Sequence, residues 1–185
     1  MSSFWNDKGK SALVEVGDLA PDFALETEDG ESWSLSEQRG NIIALLFYPK
    51  NEVVVCHQQL HSIRDNWAAY VASKAVIVGI STEKPETRRR SSERCDLPLS
   101  LLVDADRRVT SLYSHHWLMP ARLTRAIVII DANGVVRHRQ VMLRAFRPSD
   151  RDALASIYAA RTDYLGDRFR VVKDSDERIN LADKQ

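Results

Sequence analysis

The sequence predicts a layered α/β domain whose central strands run parallel. Two continuous apolar segments, 42–48 and 75–80, have the length and pattern of strands that are buried on both faces. Segments with helical spacing of apolar residues separate the strands, and this alternation is typical of α/β architecture. A tight turn at 132–134 adds a hairpin at one edge of the sheet.

The N-terminal part of the domain contains short elements separated by turns. A strand is predicted at 21–25, and Asp29-Gly30 is a typical turn pair that follows it. A short helix is predicted to begin near Ser34 and to end near Gly40, because Ser favours helix starts and Gly favours helix ends.

A long amphipathic helix is predicted over 56–71, directly after the first buried strand and its terminating Pro49. Its apolar residues fall at helical spacing and comprise Leu60, Ile63, Trp67, Ala68 and Val71.

The remaining elements alternate in the same way along the second half of the chain. Pro85 introduces a polar helix at 84–94, since proline is favoured in the first turn of a helix. Further strands are predicted at 101–104, 126–131 and 135–138, and a last helix at 151–160.

Length and composition limit the classes of function. The 185 residues favour one domain, predicted at 1–160, followed by a charged C-terminal extension at 161–185. Lys plus Arg and Asp plus Glu each total 26, so the formal net charge of zero argues against a nucleic-acid partner. The apolar segments are too short to span a membrane, and the first ten residues lack a signal core. With two widely spaced cysteines, these features predict a cytoplasmic protein without a membrane partner.

Cys56 is the residue most suited to chemistry. It follows a buried strand by one loop and begins the predicted helix, and functional groups in such sheets lie beyond the carboxyl ends of central strands. A helix N-terminus favours thiolate over thiol, and the thiolate is the nucleophile. The alternative is that Cys56, preceded by three valines, is an inert buried apolar residue.

Several motifs follow one another along the chain in a characteristic order. They are VGDLAPDF at 16–23, Asp29-Gly30 with Leu35-Ser36, FYPK at 47–50, IRD at 63–65, LPL at 97–99 with LVD at 102–104, and RAIVIIDANG at 125–134. In this order they resemble the peroxiredoxin (AhpC/TSA) family, closest to its PrxQ or bacterioferritin-comigratory branch. The resemblance covers about 16–157 and implies a thioredoxin-like fold with a central mixed β-sheet flanked by helices.

The resemblance also implies a thiol-dependent peroxidase with an antioxidant role and no cofactor. Cys56 would be the nucleophile that hydrogen peroxide or a small organic hydroperoxide oxidises to a sulfenic acid. Arg125 would stabilise the thiolate and polarise the peroxide, and Pro49 would shield the pocket. A thioredoxin-like or small-thiol reductant and a homodimer are the implied partners. For Arg125 the alternative is a strand-start arginine that pairs with a surface carboxylate.

The family motif is altered at Val53, where the resemblance places a Thr or Ser. Without that hydroxyl, the thiolate and the peroxide lose a hydrogen-bond partner, and valine makes the surroundings drier. Weak peroxidase activity is therefore one expectation. The other is a non-catalytic thiol sensor or binding protein that kept the fold.

Reduction of the oxidised cysteine is the second altered feature. The resolving cysteine that PrxQ-type proteins often carry five residues after the first is His61 here. Cys95 is a candidate resolving cysteine, and the alternative is reduction by an external thiol. Cys56, His57 and His61 could suggest a metal site, but no second group of ligands accompanies them, and no metal is expected.

Overall fold

The computed structural model describes residues 13–48, 62–82, 99–118, 124–143, 149–162 and 164–166. The predicted helix at 84–94 lies outside these residues. The same is true of four predicted site residues, namely Pro49, Val53, Cys56 and Cys95.

The described residues form a mixed sheet of seven strands. The strands are β1 Ala24–Thr27, β2 Ser32–Ser34, β3 Ile43–Tyr48, β4 Val76–Ser81, β5 Ser100–Val103, β6 Thr124–Ile130 and β7 Val136–Leu143. Their order across the sheet is β2-β1-β5-β4-β3-β6-β7. β4 pairs in parallel with both β3 and β5, whereas β6 is antiparallel to β3. The predicted parallel centre is therefore confirmed, and both edges of the sheet carry an antiparallel hairpin.

The described helices lie between strands in the chain, except the last, which follows β7. They are a 3₁₀ helix Ser36–Gln38, a helical turn at 62–65, α1 Trp67–Ser73, α2 Arg108–Tyr113 and α3 at 150–162. The short helix predicted from Ser34 is thus a single 3₁₀ turn, and α3 confirms the last predicted helix. Within the described ranges, no helix combines the length and the apolar character needed to cross a membrane.

α2 is the described helix that the sequence pattern did not predict. Its six residues are too few for a helical period to be recognised. The start of α2 is stabilised by the buried carboxylate of Asp104. This carboxylate accepts hydrogen bonds from the backbone N–H groups of Val109 and Thr110 at 3.3 and 2.6 Å. An acceptor at this position satisfies N–H groups that a helix start leaves unpaired.

Alternate residues of each central strand enter two separate apolar clusters, as the period of two requires. On β6, Ala126 and Val128 enter one cluster, whereas Ile127 and Ile129 enter the other. The second cluster lies under the helices that include α1 and α3. Its helical members are Ile63, Tyr70, Ala153, Ile157 and Ala160. We call this side of the sheet the α1–α3 face.

The predicted apolar face of the helix after Cys56 is correct at Ile63 and wrong at Ala68 and Val71, which are both exposed. Tyr70 is buried instead. Asn66 interrupts the helix with φ −102° and ψ 13°, so the residues after it are rotated relative to those before it. A single helical period through the whole segment therefore places Val71 on the wrong side.

Gly79 lies in the middle of β4, where the α1–α3 face has no room for a side chain. A Cβ at this position would lie 2.7 Å from Cδ2 of Leu101 and 3.1 Å from Cε1 of Tyr48. The Tyr48 ring thus packs over Gly79, at the end of β3 that leads toward Cys56 in the chain.

We expect Gly79→Ala to lower the free energy of unfolding by about 1–3 kcal/mol, because an added methyl group overpacks a filled core. Urea denaturation measures this change. Gly166→Ala is the matched control, since no atom lies within 4 Å of its added methyl group, and we expect no loss of stability there. Equal stability of Gly79→Ala and the wild type would contradict the close packing of Tyr48.

Candidate active site

Three polar residues lie side by side where β3 and β4 end and β6 begins. Tyr48 pairs with Ser81 across the parallel strands. Phe47 pairs with Ala126, so Arg125, the residue before Ala126, lies opposite the end of β3. By strand alternation, all three are on the α1–α3 face. We call Arg125, Tyr48 and Ser81 the polar row.

Arg125 is fully buried, with 0% of its surface exposed. This burial argues against the alternative of a strand-start arginine that pairs with a surface carboxylate. A guanidinium remains protonated at every physiological pH, so the polar row contains a permanent positive charge that is removed from bulk water. Because charges interact more strongly away from water, an anion or a developing negative charge would be stabilised at this position.

Both cysteine-containing segments begin at the carboxyl ends of central strands. Cys56 lies in the chain between Tyr48, the last residue of β3, and Ser62, which begins the next helical turn. Cys95 lies in the segment that follows β4. Since β3 and β4 are adjacent and parallel, both segments leave from neighbouring points beside the polar row.

A second polar group lies where α3 begins. The carboxylate of Asp150 accepts a hydrogen bond from the Tyr70 hydroxyl at 2.9 Å and one from Nδ2 of Asn66 at 3.1 Å. The Ser62 hydroxyl donates a third. Asp150 thus binds residues on both sides of the break at Asn66, and we call this arrangement the Asp150 cluster.

A separate contact joins α1 and α3 at their other ends. Nη1 of Arg161 donates a hydrogen bond to the backbone carbonyl of Ser73 at 3.2 Å. The polar row is at the opposite end of these helices, because Ser62 follows β3 in the chain and Thr124, next to Arg125, pairs with Leu143, the last residue of β7. The Asp150 cluster therefore lies toward the polar row, and the Arg161 contact lies away from it.

Burial shifts the pKa values of two side chains on the α1–α3 face. Burial, with the charge and hydrogen bond of Asp150, raises the pKa of Tyr70 above its usual range. Its hydroxyl therefore remains a donor at any physiological pH. Burial lowers the pKa of His138 on β7, while the charge of Asp152 acts in the opposite direction.

Sequence reasoning found Arg125 but missed Ser81 and Asp150. Tyr48 lies within the FYPK motif, yet its side chain was given no role. Asp150 has no local signal, because the residues that it binds lie 80 to 88 positions away in the chain. Within the part of the chain that the structure describes, no group of three potential metal ligands occurs, and His57 and His61 lie outside it.

Comparison with known proteins agrees with this architecture. Residues 16–139 match the sequence model of the AhpC/TSA family. The chain is 34% identical over 129 residues to "Putative peroxiredoxin bcp" from Coxiella burnetii, and the match covers 66% of this chain and 85% of that protein. The crystal structure of "Peroxidoxin BcpB from Mycobacterium tuberculosis" superposes with a TM-score of 0.66 at 26% identity, over 79% of this chain and 97% of that one. These matches support a thioredoxin-like fold.

Other relatives are matched over a smaller part of their length. "Peroxiredoxin Q, chloroplastic" from Gentiana triflora is 30% identical over 131 residues, which are 68% of this chain. The match spans 58% of that relative, less than two thirds of its length.

The lowered pKa of His138 predicts an acid-dependent loss of stability. In the unfolded chain the imidazole binds a proton near its ordinary pKa of 6.5, and in the folded protein it does so only at lower pH. Between these two pH values the unfolded state therefore binds more protons than the folded state. The neutral His138 imidazole thus contributes folding stability above pH 6.5, and this contribution is lost as the pH falls.

We expect His138→Gln to reduce the difference in unfolding free energy between pH 7.5 and pH 5.5, as measured by urea denaturation. Asp152→Asn should increase that difference, because Asp152 partly offsets the effect of burial. An unchanged pH dependence in His138→Gln would show that this side chain does not titrate differently on folding.

Proposed function

Because this chain belongs to the AhpC/TSA family, we propose that it is a thiol-dependent peroxidase whose nucleophile is Cys56. The observation that carries the proposal is the fully buried Arg125 at the end of β3, from which the Cys56 segment departs. A permanent buried cation in this position suits a thiolate and an electron-rich peroxide.

The proposed reaction is a two-electron oxidation of sulfur. The Cys56 thiolate attacks one peroxide oxygen, so an S–O bond forms while the O–O bond breaks. Sulfur becomes a sulfenic acid, and the other oxygen takes up a proton and leaves as water or an alcohol. Arg125 stabilises the thiolate and the negative charge that develops on the departing oxygen. Pro49 limits access of water to the pocket.

Because position 53 is valine, we expect a slower reaction than a protein with Thr or Ser at this position would give. Valine cannot donate a hydrogen bond to the thiolate or the peroxide, so Arg125 and the backbone N–H groups must orient the substrate without it. The same residue is the reason to retain a second candidate, in which the protein is a thiol sensor or binding protein without peroxidase turnover.

We propose two routes for reducing the sulfenic acid. In the first, Cys95 attacks it and a disulfide forms, which requires the two Cα atoms to come within about 7 Å. In support of this route, the segment that contains Cys95 begins at the end of β4, beside the end of β3 from which the Cys56 segment departs. In the second, a thioredoxin-like protein or a small thiol reduces Cys56 directly.

We propose a cytoplasmic protein that can form a homodimer. The exposed side chains of Trp117 and Leu118, at 78% and 66%, support a surface that a second copy could cover. The division into a domain at 1–160 and an extension at 161–185 stays a prediction, and α3 continues through 162.

We expect Cys56→Ser to abolish the reaction with hydrogen peroxide, because serine lacks the nucleophilic thiolate. Val53→Thr should raise the second-order rate constant by about tenfold or more, since it restores a hydrogen-bond donor. Stopped-flow kinetics with intact-mass analysis measures the rate and the product.

The same experiment separates the alternatives. Addition of one oxygen indicates a sulfenic acid, and loss of two hydrogens that requires Cys95 indicates a disulfide. Peroxide turnover that persists in Cys56→Ser would contradict the assignment of Cys56. A wild-type rate no faster than that of free cysteine would favour the sensor or binding protein.

Arg125→Lys should lower the peroxide rate constant by about 10²-fold, because lysine keeps the charge but not the planar array of donors. Arg139→Lys is the matched control. Arg139 is a β7 arginine whose Nε donates to the Tyr113 carbonyl at 3.1 Å, away from the polar row. An equal effect of the two substitutions would remove Arg125 from the proposed site.

A further inference from the structure

We propose that Asp150 is a positioning residue that holds the helical segment after Cys56 against α3, and thereby sets the position of the thiol relative to Arg125. This inference rests on the proposed peroxidase function. Asp150 lies far from Cys56 in the sequence and belongs to none of the motifs that resemble the AhpC/TSA family.

The contacts of Asp150 begin at the end of the helical segment nearest to Cys56 in the chain and extend to Tyr70 in α1. Ser62 is the first described residue after Cys56, and its hydroxyl donates to Oδ2 of Asp150. Asn66 donates to the same oxygen at 3.1 Å. Five residues separate Cys56 from Ser62, so the six Cα–Cα steps between them span at most about 20 Å, and the position of Ser62 restricts where Cys56 can lie.

Two further features make this attachment rigid. Tyr70 is 1% exposed, and its hydroxyl donates to Oδ1 of Asp150 at 2.9 Å, so both carboxylate oxygens are bound. Asn66 also donates to the Ser62 carbonyl at 2.9 Å, which closes the break between the helical turn at 62–65 and α1. Hydrogen bonds to a charged acceptor are stronger and shorter than neutral ones, so a carboxylate is suited to this role.

The two contacts between α1 and α3 allow positioning to be distinguished from general stability. Asp150 contacts the segment from its first described residue, Ser62, to Tyr70, whereas Arg161 contacts only its last helical residue, through the Ser73 carbonyl. If the contacts served only to join the helices, loss of either would have similar consequences. If Asp150 positions the thiol, only its loss should affect the reaction with peroxide.

The test compares two reactions of Cys56 in a Cys95→Ser background, in which Cys56 is the one remaining cysteine. Reaction with hydrogen peroxide depends on alignment with Arg125, whereas alkylation by iodoacetamide depends mainly on the fraction of thiolate. The ratio of the two rate constants cancels the thiolate fraction. Circular dichroism and urea denaturation of each variant show that it is folded.

We expect Asp150→Ala to lower this ratio by about ten- to a hundredfold, as a displacement of roughly 1 Å can do. Tyr70→Phe and Asp150→Asn should lower the ratio less. These two variants provide the test if Asp150→Ala does not fold. Arg161→Gln should leave the ratio within about twofold of the parent, although it loses stability.

The inference is overturned if the Asp150 variants keep the parent ratio, or if Arg161→Gln lowers the ratio as much as they do. A parent ratio no greater than that of free cysteine has a different meaning. It would overturn the proposed peroxidase function itself, and the positioning role with it.

Discussion

The parallel pairing of β3 with β4 is the constraint on which the rest of the structure depends. Six consecutive residue pairs, from Ile43 with Val76 to Tyr48 with Ser81, fix the register of the two central strands. Parallel strands need a crossover between them, and here the crossover contains Cys56, the helical turn at 62–65 and α1. The pairing thus determines that the Cys56 segment leaves the sheet at the carboxyl end of β3. It also determines that α1 returns the chain to the opposite end of the strands before β4 begins.

The positive charge at the carboxyl end of β3 belongs to Arg125, on the antiparallel neighbour β6. β6 runs against β3, so its first residues lie beside the last residues of β3. An arginine at the start of β6 therefore lies beside the carboxyl end of β3, and strand pairing alone places it there. Strand alternation then places Arg125 on the side covered by α1 and α3 rather than on the other face. Arg125 is completely buried there.

The sequence predicted those features that depend on local pattern. The continuous apolar segments at 42–48 and 75–80 predicted β3 and β4, and the motif around Arg125 located the start of β6. Tertiary contacts decided the rest. Val71 could not be placed correctly, because the break at Asn66 changes the buried side of the helix. Asp150 could not be found, because its role arises only when α3 packs beside residues some 80 positions earlier.

The charges on the α1–α3 face restrict how activity can depend on pH. The guanidinium of Arg125 supplies a permanent positive charge. The raised pKa of Tyr70 keeps its hydroxyl protonated as well, so its bond to Asp150 persists in alkaline solution. The lowered pKa of His138 keeps that imidazole neutral at pH 7. Since these groups keep one protonation state above pH 7, a rise of peroxide reactivity in alkaline solution would be attributed to ionisation of the Cys56 thiol rather than to these three side chains.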